Sequence, residues 1–226
     1  MSTNSLRRSI TVDVVSDVVC PWCYIGKKRL ENAIAELDDV DVTVRWHPFF
    51  LNPWVPREGI SREDYLTKKF GSVEAYHGMA ARVAEAAAAE GLIYHPTEVR
   101  RQPNTLDCHR LIHWATAIGR ADEMKQKLME LYFRGEGDLT DSEVLVAAAA
   151  ACGLDPDETR ERLNSDEDVA RVSRQAEQAA QAGVSGVPTF ILGGSYGLSG
   201  AQPAAQLAKA IRHVAAELAS RSSQQQ

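Results

Sequence analysis

Four cysteines among 226 residues are too few to staple a fold of this size. A chain this long buries enough apolar surface to fold without cross-links, so a disulfide scaffold is not expected. An excess of basic residues is missing too: 25 Lys and Arg stand against 31 Asp and Glu, a formal net charge of −6. Nucleic acid, whose binding rests on clustered Lys and Arg meeting phosphates, is therefore not an expected partner. The one short basic run, Lys27-Lys28-Arg29, is followed by Glu31 and reads as a solvated helix face. No apolar run approaches the ~20 residues that cross a bilayer. Asp13 and Asp17 interrupt the first apolar segment, against the pattern of a secretory leader. The chain reads as cytoplasmic, with no membrane partner. In a reducing compartment a close cysteine pair is more often catalytic or metal-binding than structural.

What is present is an alternation of strand and helix signals at the two ends of the chain. Ile10 to Val15 alternates β-branched with polar residues, a strand pattern. Pro21 suits a first helical turn, and Ile25, Leu30, Ile34 and Leu37 recur at helical spacing. Val42 to Trp46 reads as the next strand, which completes a βαβ unit. From Ser61 to about Ala182 the signal is helical, broken at glycines. Strands return at Val187–Leu192 and Tyr196–Ser199, joined through Gly193-Gly194, before a last helix from Pro203 to about Ala219. The expected architecture is an α/β fold in which one sheet takes strands from both chain ends and a helical block is inserted between them. Residues 10–60 and 184–219 form the discontinuous core and 61–183 the helical insertion; 1–9 and 220–226 are expected to be a flexible start and a disordered tail.

Cys20-Pro21-Trp22-Cys23 falls where the first strand gives way to the first helix. A thiol at a helix start faces unpaired backbone N–H groups and the positive end of the helix dipole, both of which favour thiolate. Thiolate is the reactive form, and cysteines in this setting have lowered pKa values. Two intervening residues let one helical turn bring the sulfurs within bonding reach. Cys20 is expected to be exposed and to attack, with Cys23 resolving the mixed disulfide. Half a zinc site is the bland alternative. Zinc commonly takes four ligands, and the one conceivable second pair, Cys108 with His109, would point about 100° apart on a helix. No metal and no cofactor beyond the redox pair are expected.

A second signal lies far downstream in Gly183-Val184-Ser185-Gly186-Val187-Pro188-Thr189-Phe190. A proline opening a strand forfeits a ladder hydrogen bond. The glycines give the turn freedom that suits a cis X–Pro bond, although an edge-strand proline in trans fits these residues as well.

Taken together, the two signals resemble the DsbA-like branch of the thioredoxin superfamily, and more narrowly the FrnE-type intracellular proteins. The matching pieces are Asp17 to Cys23, His47 to Pro53, Asn104 to Leu106 with His109 to Leu111, Ser185 to Phe190 and Gly200 to Pro203, in order along nearly the whole chain. The resemblance implies a thioredoxin-like core carrying a helical insertion. It also implies a cis Pro188 beside the reactive pair, which keeps metals off the thiols and presents the Val187 backbone to an incoming chain. The implied activity is thiol–disulfide exchange with disulfide-containing or dithiol proteins, with glutathione as a candidate co-substrate. 2-Hydroxychromene-2-carboxylate isomerases and kappa-class glutathione transferases are similar in fold. They carry serine at the position of Cys20, and Gly200-Ala201-Gln202 lacks the acidic and arginine residues with which they hold glutathione. A glutathione-dependent isomerase or transferase is thus the first alternative, and a zinc-binding or holdase module the second.

Other candidates carry weaker signals. Asp17, three residues before Cys20, could accept the proton of Cys23 or be a solvated cap, with Glu36 a fainter version of the same idea. Trp22 is expected at the substrate surface. The loop Phe49-Phe50-Leu51 reads as packing, with Asn52 its polar substrate contact. Asn104 reads as a helix cap, and His109, His113 and Trp114 as core or rim. Cys108 and Cys152, set among apolar helical residues, read as inert buried thiols.

Overall fold

Residues 7–224 are described in the computed structural model. Strand β1 (Arg8–Ser16) leads into helix α1 (Pro21–Ala35) and then strand β2 (Val40–Pro48). At the other end of the chain, β5 (Thr189–Leu192) and β6 (Tyr196–Ser199) form a hairpin that feeds α9 (Ala204–Gln224). The four strands make one sheet in the order β2-β1-β5-β6. β1 is parallel to β2, with Val12 opposite Val44, and antiparallel to β5, with Val14 opposite Phe190. Both chain ends therefore contribute to one sheet, as the strand pattern predicts.

Alternation along the strands sorts the side chains. Ile10, Val12 and Val14 of β1, with Phe190 and Leu192 of β5, face α1 and α9 in one apolar cluster completed by Leu30, Leu207, Ile211 and Val214. The intervening Asp13 holds Arg45 through two hydrogen bonds of 2.7 and 2.8 Å.

Between the sheet halves the chain runs through α2 (Arg62–Phe70), α3 (Val73–Ala89), α4 (Leu106–Ala117), α5 (Ala121–Phe133), α6 (Ser142–Ala151), α7 (Pro156–Leu163) and α8 (Val169–Gln181). Several start on a side chain that satisfies an otherwise unpaired N–H. Ser61 accepts from Asp64, Ser72 from Ala75, and Asp155 from both Asp157 and Glu158, ahead of Pro156 in the first turn. Leu111, Met124, Leu128, Phe133 and Leu145 build a second apolar cluster, which also takes in Cys20, Cys23 and Tyr24 from the start of α1. Two-residue strands β3 (Ile60–Ser61) and β4 (Arg101–Gln102) pair antiparallel beneath α2, too short to leave a periodic signal in the sequence.

Three expectations change. β1 begins at Arg8, because Arg8 and Ser9 register with Val40 and Asp41, so the flexible start cannot include them; residues 1–6 lie outside the described residues. α9 continues through residues 220–224, where a tail was expected, and 225–226 are likewise outside. Lys27 and Arg29 are not a solvated face. Lys27 is 2% exposed and reaches Glu31 and, at 2.9 Å, Asp122 of α5. Arg29 binds Glu90 beyond the end of α3 and the Ala201 carbonyl, each at 2.6 Å. Elements pack around α1 on several sides, so its charged residues become ties to the helical block.

Gly26 marks the tightest approach of α1 to the returning chain. A Cβ there would lie 2.8 Å from Pro188 Cγ and 3.4 Å from the Phe190 ring. Gly26→Ala should therefore lower stability by up to about 2 kcal/mol in urea denaturation: an overpacking cost toward the upper part of the usual ~1–3 kcal/mol outweighs the ~1 kcal/mol that alanine gains in a helix. An unchanged midpoint would mean that the contact gives way.

Candidate active site

Cys20 is the residue immediately before the first turn of α1, with Pro21 opening the turn, and its carbonyl accepts from Cys23 N at 3.0 Å and Tyr24 N at 3.1 Å. The sheet brings β5 alongside β1, which returns Val187 and Pro188 to this helix start. The Val187–Pro188 bond is cis. The Cys20 Sγ donates to the Val187 carbonyl at 3.6 Å. Contrary to expectation, Cys20 is only 4% exposed: it lies at the end of a cavity, roofed by the helical block. Cys23 is deeper, at 2%.

The two thiols differ in acidity. A hydrogen bond from the Cys23 thiol, outweighing burial, and the N–H groups of Cys23 and Trp22 hold Cys20 below the ordinary thiol value. Burial, then the hydrogen bond and charge of Cys20, push Cys23 well above it. The helix start thus separates an ionisable thiol from one that stays protonated. Cys108 and Cys152 are both pushed up by burial, in keeping with their reading as inert.

Asp17 is fully buried, not a solvated cap. Its Oδ2 accepts from Leu51 N at 2.8 Å, and its Oδ1 lies 3.4 Å from His109 Nε2, where neither atom has an aligned hydrogen bond. Burial raises the Asp17 carboxyl, but His109, the Leu51 N–H and Thr105 together hold it below its usual value. His109 is correspondingly drawn into the core and lowered by burial. Glu36 is exposed at the far end of α1 and takes no part.

Sequence reasoning missed three cations. Lys125 of α5 is 1% exposed, with Nζ 5.1 Å from the Trp46 ring centroid. Burial pushes it down to about 8, against the opposing pull of Cys23 and Asp17. Arg62 and Lys69 of α2 both line the cavity beside Cys20. They stand seven residues apart on one helix face, a spacing readable in the sequence; nothing in it says that the face looks onto a thiol. Trp22, 40% exposed, and Val187 line the same cavity. Asn52 is not among its lining residues. It sits one step behind, accepting from Lys69 Nζ at 2.6 Å.

A family model described as a DSBA-like thioredoxin domain matches residues 11–212. The chain belongs to the DSBA-like thioredoxin family. A crystal structure described as a probable DsbA oxidoreductase from Streptomyces coelicolor is 36% identical, with a TM-score of 0.80 over 91% of this chain and 89% of that one. An uncharacterized Bacillus subtilis protein, YwbO, is 27% identical across 82% of this chain and 88% of its own. Two more distant structures share the fold. One is a 2-hydroxychromene-2-carboxylate isomerase, 19% identical with a TM-score of 0.67 over 93% of this chain and 98% of its own. The other is the cytosolic disulfide reductase DsbM from Pseudomonas aeruginosa, solved also with GSH. In its form without GSH it is 16% identical, with a TM-score of 0.59 over 93% of this chain and 98% of that one. The fold is accordingly the thioredoxin-like α/β class read from the sequence. Among the described residues no helix is long and apolar enough to cross a membrane.

The acidity difference can be measured directly. Thiolate absorbance against pH should show one thiol titrating below the unperturbed value of about 8.5, lost in Cys20→Ser and kept in Cys23→Ser. Because Cys23 is the largest stabiliser of the Cys20 thiolate, Cys23→Ala should move that titration upward relative to Cys23→Ser. A low-pKa thiol that survives Cys20→Ser would reverse the assignment.

Proposed function

We propose that the protein is a thiol–disulfide oxidoreductase that works through Cys20 and Cys23. The observation that carries this reading is the pairing, within one helical turn, of a thiol driven toward thiolate with one held protonated, the first facing the Val187 carbonyl. The family match supports the reaction class. The Cys20 thiolate attacks one sulfur of a substrate disulfide, forms a mixed disulfide and expels the other sulfur as thiolate. Cys23 then loses its proton and attacks Cys20 Sγ. This releases the second substrate thiolate and leaves a Cys20–Cys23 disulfide, which an external dithiol reduces again.

The proton of Cys23 needs an acceptor inside the protein. Asp17 and Lys125 are the two candidates whose charges bear on the pair, and both are buried. Lys125, pushed down to about 8 by burial, still carries its charge for the most part at pH 7. We assign it the role of stabilising the Cys23 thiolate as it forms, with Asp17 and His109 completing the proton exchange. Once Cys20 ionises it no longer donates to Val187, which frees that carbonyl for the backbone N–H of a bound chain. Disulfide-bonded or dithiol proteins are the substrates this reading favours, and Val187, Pro188 and Trp22 the residues that meet them. Glutathione is a proposed second thiol, in keeping with the GSH-bound neighbour. A cytoplasmic location goes with the same reading.

Two experiments bear on it. The purified protein should catalyse reduction of insulin by dithiothreitol; Cys20→Ser should abolish this and Cys152→Ser leave it near normal, and full activity in Cys20→Ser would refute the mechanism. Separately, a fluorescent thiol held on Cys20 should be released more slowly at neutral pH in Lys125→Met. Loss of the cation raises Cys23 further, so the rise of release rate with pH should shift to higher pH. An identical pH profile would remove Lys125 from the mechanism.

A further inference from the structure

The cavity beside Cys20 has a volume of about 350 Å³, inside the range of roughly 300–1,000 Å³ common for small-molecule sites. Its walls are largely apolar and aromatic, with Met79, Val83, Tyr94 and Phe133 opposite Cys20 and Val187. Two cations project into this lining, and neither has an acidic partner among the described residues. Arg62 Nη1 donates to Gln102 Oε1 at 2.9 Å and to the Tyr132 hydroxyl at 3.0 Å, and Nη2 donates to the Tyr76 hydroxyl at 3.0 Å. Arg62 Nε has no hydrogen-bond partner among the described residues. Lys69 Nζ has the neutral Asn52 Oδ1.

The tyrosines do not neutralise these charges. Burial pushes Tyr132 up to about 12, so it stays protonated at neutral pH and offers a dipole, while the rings of Tyr65 and Tyr76 meet the Arg62 guanidinium at 5.2 and 5.1 Å, contacts that carry no net charge. Lys125 apart, several other half-buried or buried cations of the chain are paired with carboxylates: Arg29 with Glu90, Lys27 with Glu31 and Asp122, Arg110 with Asp107. A charge taken from water without a counter-charge is costly. Lys69 already feels the charges of Cys20 and Asp17; Arg62 meets only neutral groups, so a ligand carboxylate would supply its counter-charge, and the apolar walls dictate what the rest of the ligand is made of.

We propose that this cavity receives a small-molecule disulfide, or the corresponding thiol, with an aromatic or aliphatic body and a carboxylate that meets Arg62 and Lys69 while its sulfur faces Cys20. This rests on the redox reading of Cys20 and gives that site a substrate class. Cys20 thiolate bonds to one sulfur of the acid disulfide and the second acid leaves as thiolate. Attack by Cys23 on Cys20 Sγ then releases the first, and an added dithiol returns the pair to its reduced form. A guanidinium, with its planar fork of donors, suits a carboxylate better than an ammonium does.

The test compares two aromatic disulfides of similar size, dithiobis(nitrobenzoate), with a carboxylate on each ring, and neutral dithiodipyridine. The fully reduced chain should react through Cys20 with both. Arg62→Gln should lower the preference for the acid over the neutral disulfide about tenfold, the scale of one charge-assisted hydrogen bond, and Arg62→Lys should retain most of it. An unchanged ratio overturns the proposal. A second measurement does not depend on a variant that folds: phenylpropionate, an inert acid, should slow the reaction of the natural sequence with dithiobis(nitrobenzoate), and neutral phenylpropanamide should not. No protection by the acid, or equal protection by the amide, also overturns it. If glutathione disulfide reacts faster than dithiobis(nitrobenzoate), a polar peptide occupies the cavity and the apolar acid is wrong. Failure of the underlying redox reading looks different: Cys20 then reacts no faster than an unfolded thiol with any of the three disulfides.

Discussion

Everything at this site depends on the start of α1 being wedged between two apolar clusters. The helix start, with Cys20, Cys23 and Tyr24, belongs to the cluster built by the helical block, while Leu30 and Ala33 farther along the same helix, and Leu37 just beyond it, belong to the sheet's cluster. A helix end normally sheds its unpaired N–H groups into water. Here they are enclosed, so the groups that can use them are the thiol and its neighbours. Burial alone would raise both cysteines; the hydrogen bond from the Cys23 thiol, helped by the N–H groups of Cys23 and Trp22, offsets that for the first, and the second is left to bear it.

The sheet and the helical block divide the work. The sheet supplies position: β1 delivers Cys20, and β5 delivers Val187 to within 3.6 Å of it. The block supplies charge. Arg62, Lys69 and Lys125 all come from its helices, and all three lack a carboxylate partner among the described ion pairs. Lys27 and Arg29 then fasten α1 to α5 and to the end of α3. Thiol chemistry on the sheet is thus tuned by residues on elements that could shift relative to it only by breaking those ties.

The positional half of this arrangement was legible in the sequence, because it is written in local pattern. Alternating β-branched residues marked β1, Pro21 marked a helix start, and Gly186 with Pro188 marked a turn into a strand, joined to the next through Gly193-Gly194. The tuning half was not. Lys125 sits in an ordinary amphipathic helix where nothing nearby distinguishes a buried lysine from a solvated one, and Lys27 was misread in that way. Whether such a side chain is buried is decided by what packs over it from distant parts of the chain. Cys20 was expected to be exposed for the same reason: the roof over it comes from α2 and α3, whose position no spacing near Cys20 encodes. Asn52 was placed one shell too close, since the intervening Lys69 lies on a later helix. β3 and β4 escaped because two residues cannot show a period.

The separation of 167 positions between Cys20 and Val187 has a consequence during synthesis. At ~5–20 residues per second, roughly ten to thirty seconds separate the emergence of the two. In that interval a ribosome-bound chain carries its cysteine pair and, progressively, its buried cations, but neither the carbonyl that Cys20 contacts nor the strand that lies beside β1. The thiols of a nascent chain are thus open to any oxidant that reaches them until the segment around Val187 has been made and has paired with β1.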